Sequence, residues 1–526
     1  MKNKFIKLSL VAIILSGMAA CKKQLEVAPR TAVDIDQALS SRENINAAIT
    51  GVYARLKSLR AYGRDLLAVA DAMSENGFAT NKSGRLINES NLIPGAHMAT
   101  WQNSYYAIAE INILFNAIPN LNVIPAVTTA ERNAWRGQLY YLRALFYFDL
   151  ARVYCYEPGQ GVLGQDRGGI PLVSTTPLTI EGAVANLPAR APIDSVYAYM
   201  SRDIDSAIVN LTTPSVFSPA VASRVAAQAL GARIALYDRN YTRAATLASA
   251  VISARGGTLT TPNSYVAGWS AQVHPESIFE VRFANNTENL GVNESLQTTY
   301  TTLRERGNPA VTQGFGDLVP TTSMLQNLGF SGISANGAGG TFSGRTDDVR
   351  NLLFERGSAG RGTARIECTK FIGKNGQPNL DNVPVIRVPE MLLIRSEARS
   401  YATNRDGSAN SAFDLAGAVA DIVTLKQARY ANYNVAGNPV AAADAALASG
   451  ANAANIQLEN FRQRRLEFAF EGHRWFDHKR NAGVIASTAT GGVIGSKQPY
   501  TDFRMLAPIP QREVDLNSGI LQNFGY

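Results

Sequence analysis

The stretch RNAWRGQLYYLRALFYFDLARV, Arg132–Val153, decides the fold class. Trp135, Leu139, Leu142, Phe146, Leu150 and Val153 recur at three- and four-residue spacing, which is the packed face of a helix and not the alternation of a strand. The same period reappears on both sides. Residues 36–59 repeat Ile45, Ile49, Val52 and Leu56, and Met98–Ile118 repeats Tyr105, Ile108, Ile111 and Leu114 before Pro119 stops the helix. Downstream, Ile193, Val196, Met200, Ile204, Ile208 and Leu211 draw another stripe, with Pro192 suited to a first helical turn. Ala226, Leu230, Ile234 and Tyr237 then reach the turn Asp238-Arg239-Asn240, and Tyr241, Ala244, Ala248 and Ile252 continue beyond it. Small residues allow close helix approach, so this pair follows the logic of a tetratricopeptide hairpin without its strict consensus.

Between about 254 and 386 the character changes. Gly, Asn, Thr and Ser dominate, with short extended pieces such as Ser277–Val281 and an especially loop-like run from Gly329 to Gly344. Helix is expected again at Pro389–Tyr401, at about Ser411–Ala431 and at Leu458–Trp475. The reading is a mostly α protein in which an irregular insertion is carried by a helical body, and loops on a rigid body favour recognition over chemistry.

The N-terminus has a different task. Lys2, Lys4 and Lys7 precede an apolar core, Leu8–Leu15, and Met18-Ala19-Ala20 leads to Cys21. This looks like a lipoprotein signal cleaved before Cys21, whose thiol takes a lipid, although Met18 stands where leucine is usual. An ordinary secretory signal with an incidental cysteine is the alternative. No later stretch supplies the roughly eighteen apolar residues of a membrane span. Of the formal charge of +8, three units sit on the discarded lysines, which leaves 8 − 3 = +5 on the remaining side chains. No long Lys/Arg block or aromatic-basic interleaving points to nucleic acid. Cys155 and Cys368 are the remaining thiols; one long bridge is possible, and two isolated buried thiols are the expectation.

Four segments, in order, carry a specific likeness. They are Arg132–Ala144 running on to Phe148-Asp149-Leu150, PVIRVPEMLLIRSEA at Pro384–Ala398, RRLEFAFEGHRWFD at Arg464–Asp477, and Pro508-Ile509-Pro510. Following a lipoprotein signal, they resemble the SusD/RagB family of outer-membrane nutrient-binding lipoproteins of Bacteroidota. The resemblance implies a SusD-like fold with a tetratricopeptide-like helical scaffold, and a loop-rich ligand-facing region containing short strands. It implies a lipid-anchored protein of the cell outer membrane, facing outside, that captures oligosaccharide or peptide beside a TonB-dependent channel and is not an enzyme. Pro389 departs from the alanine common before the glutamate, harmlessly at a helix start. Lys22-Lys23 departs from the acidic residues that often accompany surface export. The expected organisation is a signal at 1–20, a lipidated tether at 21–34, an N-terminal scaffold with ligand-facing loops at 35–253, the insertion at 254–386, and a C-terminal helical part at 387–526.

Catalytic chemistry finds little support. Glu467 and Glu471 would share one side of a helix, but Arg462, Arg464, Arg465 and Arg474 surround them, which favours an ion-pair network over a glycosidase pair. His97, His274, His473 and His478 show no metal-ligand spacing, and the glycines near Gly314, Gly316 and Gly329 lack a phosphate-loop pattern, so no metal or cofactor is implied. A sugar site needs flat apolar faces and polar groups that replace water at the hydroxyls. Trp101, after the loop Ala79–Gly95, is the candidate platform, with Asp71, Glu75 and Asn76 nearby; Tyr300, Phe315, Asp317 and Arg350 are candidates from the irregular middle. Trp135 and Trp475 lie inside strong helical patterns and read as core. Two other functions stay open: a polysaccharide hydrolase, and a lipid-anchored protein-protein scaffold without nutrient.

Overall fold

A computed structural model describes residues 38–526 except 119–126, 178–179, 186, 214–217, 335–338, 375, 482–496 and 498. The signal segment, Cys21, the tether at 21–34 and Pro119 lie outside these residues.

The helix that contains the opening stretch, α4, spans Thr129–Tyr154. Its start is fixed by a capping box: the Glu131 amide donates to Thr128 Oγ1 at 3.2 Å, and the Thr128 amide donates back to Glu131 Oε2 at 3.0 Å. Before it come α1 (Arg42–Arg55), α2 (Asp65–Met73) and α3 (Trp101–Ala117). After it come α5 (Ile193–Asn210), α6 (Arg224–Tyr237) and α7 (Tyr241–Ala254). Helix α5 packs on α4, α6 on α5, and α7 on α6. The α6–α7 pair is the expected hairpin, with Asn240 capping α7 through its side chain. Its closeness has a visible cause: a Cβ on Gly231 would lie 2.8 Å from Ile204 Cγ2 and 3.0 Å from Leu247 Cδ1.

The chain leaves this stack after Ala254 and rejoins it at α8, Val388–Arg399, which packs directly on α7. The stack continues through α9 (Leu415–Gln427), α10 (Pro439–Ser449) and α11 (Ala453–Glu467) to the short α12 (Arg474–Arg480). Strand β2 (Ser277–Val281) pairs antiparallel with β8 (Val383–Arg387), in a register running from Ser277↔Arg387 to Val281↔Val383, and so closes the base of the excursion. Within the excursion, β3 (Leu318–Pro320) pairs with β1 (Gly77–Ala79), β4 (Phe330–Ser331) with β5 (Gly344–Arg345), and β6 (Phe354–Arg356) with β7 (Ile366–Cys368), all antiparallel. One large apolar core runs from Ile45 to Ile520 and takes in the inner faces of α1–α8 together with Trp269, Phe354 and Phe371 from the excursion. No helix among the described residues is long and apolar enough to cross a membrane.

Two expectations need correction. The helix expected to run to Trp475 ends at Glu467, because Phe470 and Gly472 adopt left-handed backbone angles of +63° and +77°. A Cβ on Gly472 would meet the Leu66 carbonyl oxygen at 2.4 Å, so only glycine lets the turn approach α2 this closely. The second concerns residues 36–59: helix α1 stops at Arg55, and a single irregular turn at Leu59–Gly63 leads into α2. Trp135 and Trp475 are buried as expected, at 5% and 1% exposure. Cys155 and Cys368 are free and buried.

Candidate functional site

The segment RRLEFAFEGHRWFD, at the junction of α11 and α12, builds a buried clamp on the last turn of α2 and the residues that follow it. Gly472 N donates to Asp71 Oδ2 at 3.0 Å, and Asn76 Nδ2 donates to Asp71 Oδ1 at 3.2 Å. Arg465 Nε donates to Asn76 Oδ1 at 2.9 Å, Arg474 Nε to Glu75 Oε1 at 2.7 Å, and His478 Nε2 lies 2.7 Å from Glu75 Oε2. Burial opposes ionisation of Glu75, but Arg474, His478 and Arg465 outweigh it and hold the carboxyl well below its usual range. For Asp71 burial wins over its hydrogen bonds to Asn76 and Gly472 and pushes the pKa up to about 7. Asp71, Glu75 and Asn76 are therefore brought together as expected, but against arginines of the scaffold and not beside Trp101.

This clamp positions the next segment. From Asn76 the chain enters β1, whose partner β3 is tied down where Thr321 N donates to Asn76 O at 2.9 Å and Thr321 Oγ1 to Glu75 O at 2.8 Å. Past the strand, Thr80 N donates to Asp317 O at 2.8 Å, so loop 80–86 runs alongside residues 315–317. Phe315, half-buried, is the aromatic group of this surface. The guanidinium carbon of Arg361 lies 4.2 Å from its ring centroid and that of Arg85 at 5.0 Å. Arg85 also holds Asp317 Oδ2 at 3.1 Å, Ser83 Oγ at 2.9 Å and Asn293 Oδ1 at 3.3 Å, and Ser83 Oγ donates to Asp317 Oδ1. Burial pushes the Asp317 pKa up, against Ser83 and Arg85. Close by, Lys82 Nζ is 3.4 Å from Glu367 Oε1, and the Arg365 guanidinium lies 5.9 Å from the Phe78 ring centroid. Phe315 and Asp317 thus meet, joined by Lys82, Arg85 and Arg361, which sequence reasoning did not single out. Lys82 and Arg85 lie in the loop 79–95 that precedes the expected platform Trp101; nothing in the sequence connects Arg361 to Phe315.

The other expected residues lie in the interior. Trp101 is 2% exposed, with its ring 4.9 Å from Tyr105 and 5.0 Å edge-on from Tyr154, so it opens α3 as a packing residue and offers no bare face. Tyr300 is fully buried against Phe371 and Phe470. Arg350, 1% exposed, donates to both oxygens of Asp348, to Gln463 Oε1 at 2.9 Å, and approaches Glu467 at 3.8 Å.

Glu467 and Glu471 do not share a helix face, since Glu471 lies past the end of α11, yet Arg387 joins them. Its guanidinium meets Glu467 Oε1 at 2.8 Å, Glu471 Oε1 at 2.8 Å and Glu276 Oε2 at 3.1 Å, while Arg429 bonds Glu467 and Glu276, and Lys370 bonds Glu471. Burial opposes the charge on Glu467, but Arg429 and Arg387 hold its pKa well below the usual range. A glycosidase acid needs the opposite shift and an open cleft. Neither condition holds at this carboxylate, which is wholly buried. The pair is a structural ion network.

A stacked helical body that carries an irregular, loop-rich excursion defines the class, and comparison with known proteins defines the family. Residues 362–526 match the SusD family, and residues 23–236 match a second family described as starch-binding associating with outer membrane. The chain belongs to the SusD/RagB family. It is 24% identical to SusD-like protein P38 of Formosa agariphila over the full length of both. Its fold is similar to that of a SusD superfamily protein from Bacteroides thetaiotaomicron, with a TM-score of 0.71, 21% identity, and coverage of 91% of this chain and 99% of that one. It is also similar to a putative sugar-binding protein from Bacteroides vulgatus, with a TM-score of 0.70, 22% identity, and coverage of 93% and 99%.

Proposed function

We propose that this protein is a lipid-anchored outer-membrane binder that captures an oligosaccharide on the Phe315 face and passes it to a TonB-dependent channel. The observation that carries the reading is Phe315 itself, a half-exposed aromatic surrounded by the guanidinium groups of Arg85 and Arg361, the Ser83 hydroxyl and the Asn293 amide. An aromatic ring with convergent donors is what a sugar needs for its C–H surface and its hydroxyls. Family membership supports a nutrient binder, and the description of the family matched by residues 23–236 supports both a glycan ligand and the outer membrane. Cys21 would carry the lipid, and transport energy would come through the channel.

The test is calorimetry of the full chain in neutral detergent against a broad glycan and peptide panel, with product analysis of the same samples. Saturable glycan binding without cleavage, weakened at least tenfold by Phe315→Ala, is expected. Turnover would favour the hydrolase; silence, with a channel still co-purifying, would favour the scaffold. Cys21→Ala should abolish lipid labelling and release the protein from membranes.

A further inference from the structure

We infer that the glycan is anionic, carrying uronate carboxylates or sulfate esters; the inference rests on the reading that the Phe315 face binds glycan. Two guanidinium groups lie over the half-exposed Phe315 ring, so a ligand that reaches the ring also meets planar donor forks. Arg361, in the exposed turn Ala359–Arg361, has no carboxylate partner among the described residues. Its guanidinium carbon rests 4.2 Å from the centroid of an aromatic ring, which occupies none of its N–H donors, and a carboxylate or sulfate takes such a fork through two parallel hydrogen bonds.

The local charges point the same way. Arg85, Arg361 and Arg365 gather here with the largely covered Lys82; Lys82 pairs with Glu367 and Arg85 with Asp317, and those two carboxylates are turned inward at 0% and 1% exposure. Glu367 is occupied by Thr301 Oγ1 at 3.0 Å and by Thr302 through its amide at 2.6 Å and its hydroxyl at 2.7 Å. Asp317 is occupied by Ser83 and Arg85. Glu294, beside Asn293, and Glu305 are exposed acids of neighbouring loops. The charged groups a ligand meets at the Phe315 ring are thus the guanidinium groups of Arg85 and Arg361, in a chain that keeps +5 of its formal charge after the three signal lysines. A neutral sugar would leave these guanidinium forks hydrated and gain little from them. An acidic sugar replaces that water with charge-assisted bonds.

The experiment uses the full chain in neutral detergent and calorimetric titration with galacturonate oligomers, sulfated galactan oligomers, and neutral glucan and mannan oligomers of matched length, at low and high salt. One of the acidic sets should bind at least tenfold more tightly than any neutral set, with affinity falling as salt rises. The carboxylated and sulfated arms tell which anion is read. Arg361→Gln should lower that affinity at least tenfold and flatten the salt dependence, and Arg361→Lys should restore part of it. Because Arg361 is exposed, its loss should leave the thermal midpoint unchanged. Neutral glycans binding as tightly as acidic ones, or acidic binding indifferent to Arg361→Gln, would overturn the inference while leaving a glycan binder in place. Silence toward every set would overturn it together with the glycan reading.

Discussion

Replacing Arg387 with methionine should destabilise the protein by about 3–5 kcal/mol. Arg387 is 1% exposed, and its guanidinium touches the carboxylates of Glu276, Glu467 and Glu471 and the Glu467 carbonyl oxygen. Its removal leaves three buried carboxylates to be shared by Arg429 and Lys370. Methionine nearly fills the volume, so the cost is the uncompensated charge and not a cavity. Unfolding entropy near 2.1 cal/mol/K per residue over 526 residues gives about 1.1 kcal/mol/K, so the thermal midpoint should fall by about 3–5 °C. A control separates buried from exposed pairs. Arg243 and Asp205 lie 2.6 Å apart with side chains 30% and 57% exposed, and Arg243→Met should cost less than about 1 kcal/mol. The assay is scanning calorimetry of both variants. Equal small shifts for the two would refute the reasoning, because the buried network would then contribute no more than a surface pair.

Gly472→Ala combines a backbone angle of +77° with a Cβ 2.4 Å from the Leu66 oxygen, so it should cost more than the roughly 1–3 kcal/mol of left-handed strain alone, read as a lowered denaturant midpoint. Asp71 has its folded pKa raised from 3.8 to about 7, so the folded state binds the extra proton and this residue's contribution to stability is lost as pH rises from about 4 to 7. Asp71→Asn should remove that part of the slope between pH 4 and 7, and identical slopes in the two proteins would contradict it. Burial pushes the Cys155 thiol up to about 11 and the Cys368 thiol up to about 12, so neither should react with an aromatic disulfide reagent at pH 8 until the protein is unfolded.

The helical scaffold was legible because each helix writes its burial into its own period. Ile45, Ile49 and Val52, the Trp135–Val153 face, and Val196, Met200 and Ile204 are buried as their spacing requires, and the α6–α7 turn lies at Asp238–Asn240. Arg464–Asp477 was legible as a motif but not as a shape. Its helix stops at Glu467 because the left-handed turn at Phe470 and Gly472 must fit against α2, where Asp71 lies 401 positions away in sequence.

Trp101 shows the limit of periodicity. An aromatic residue at a helix start reads equally as platform or as core, and only the position of Tyr154 on α4 decides that its ring is covered. Phe315 shows the converse: its neighbours Arg85 and Arg361 come from loops without period, and the Arg85–Asp317 bond joins residues 232 positions apart. Sequence alone determined which segments are helical and which family they build, since those signals are local. The face proposed to meet ligand was decided by tertiary structure, since aperiodic loops acquire neighbours only when β1 pairs with β3 and the scaffold clamps Asp71, Glu75 and Asn76 beneath them.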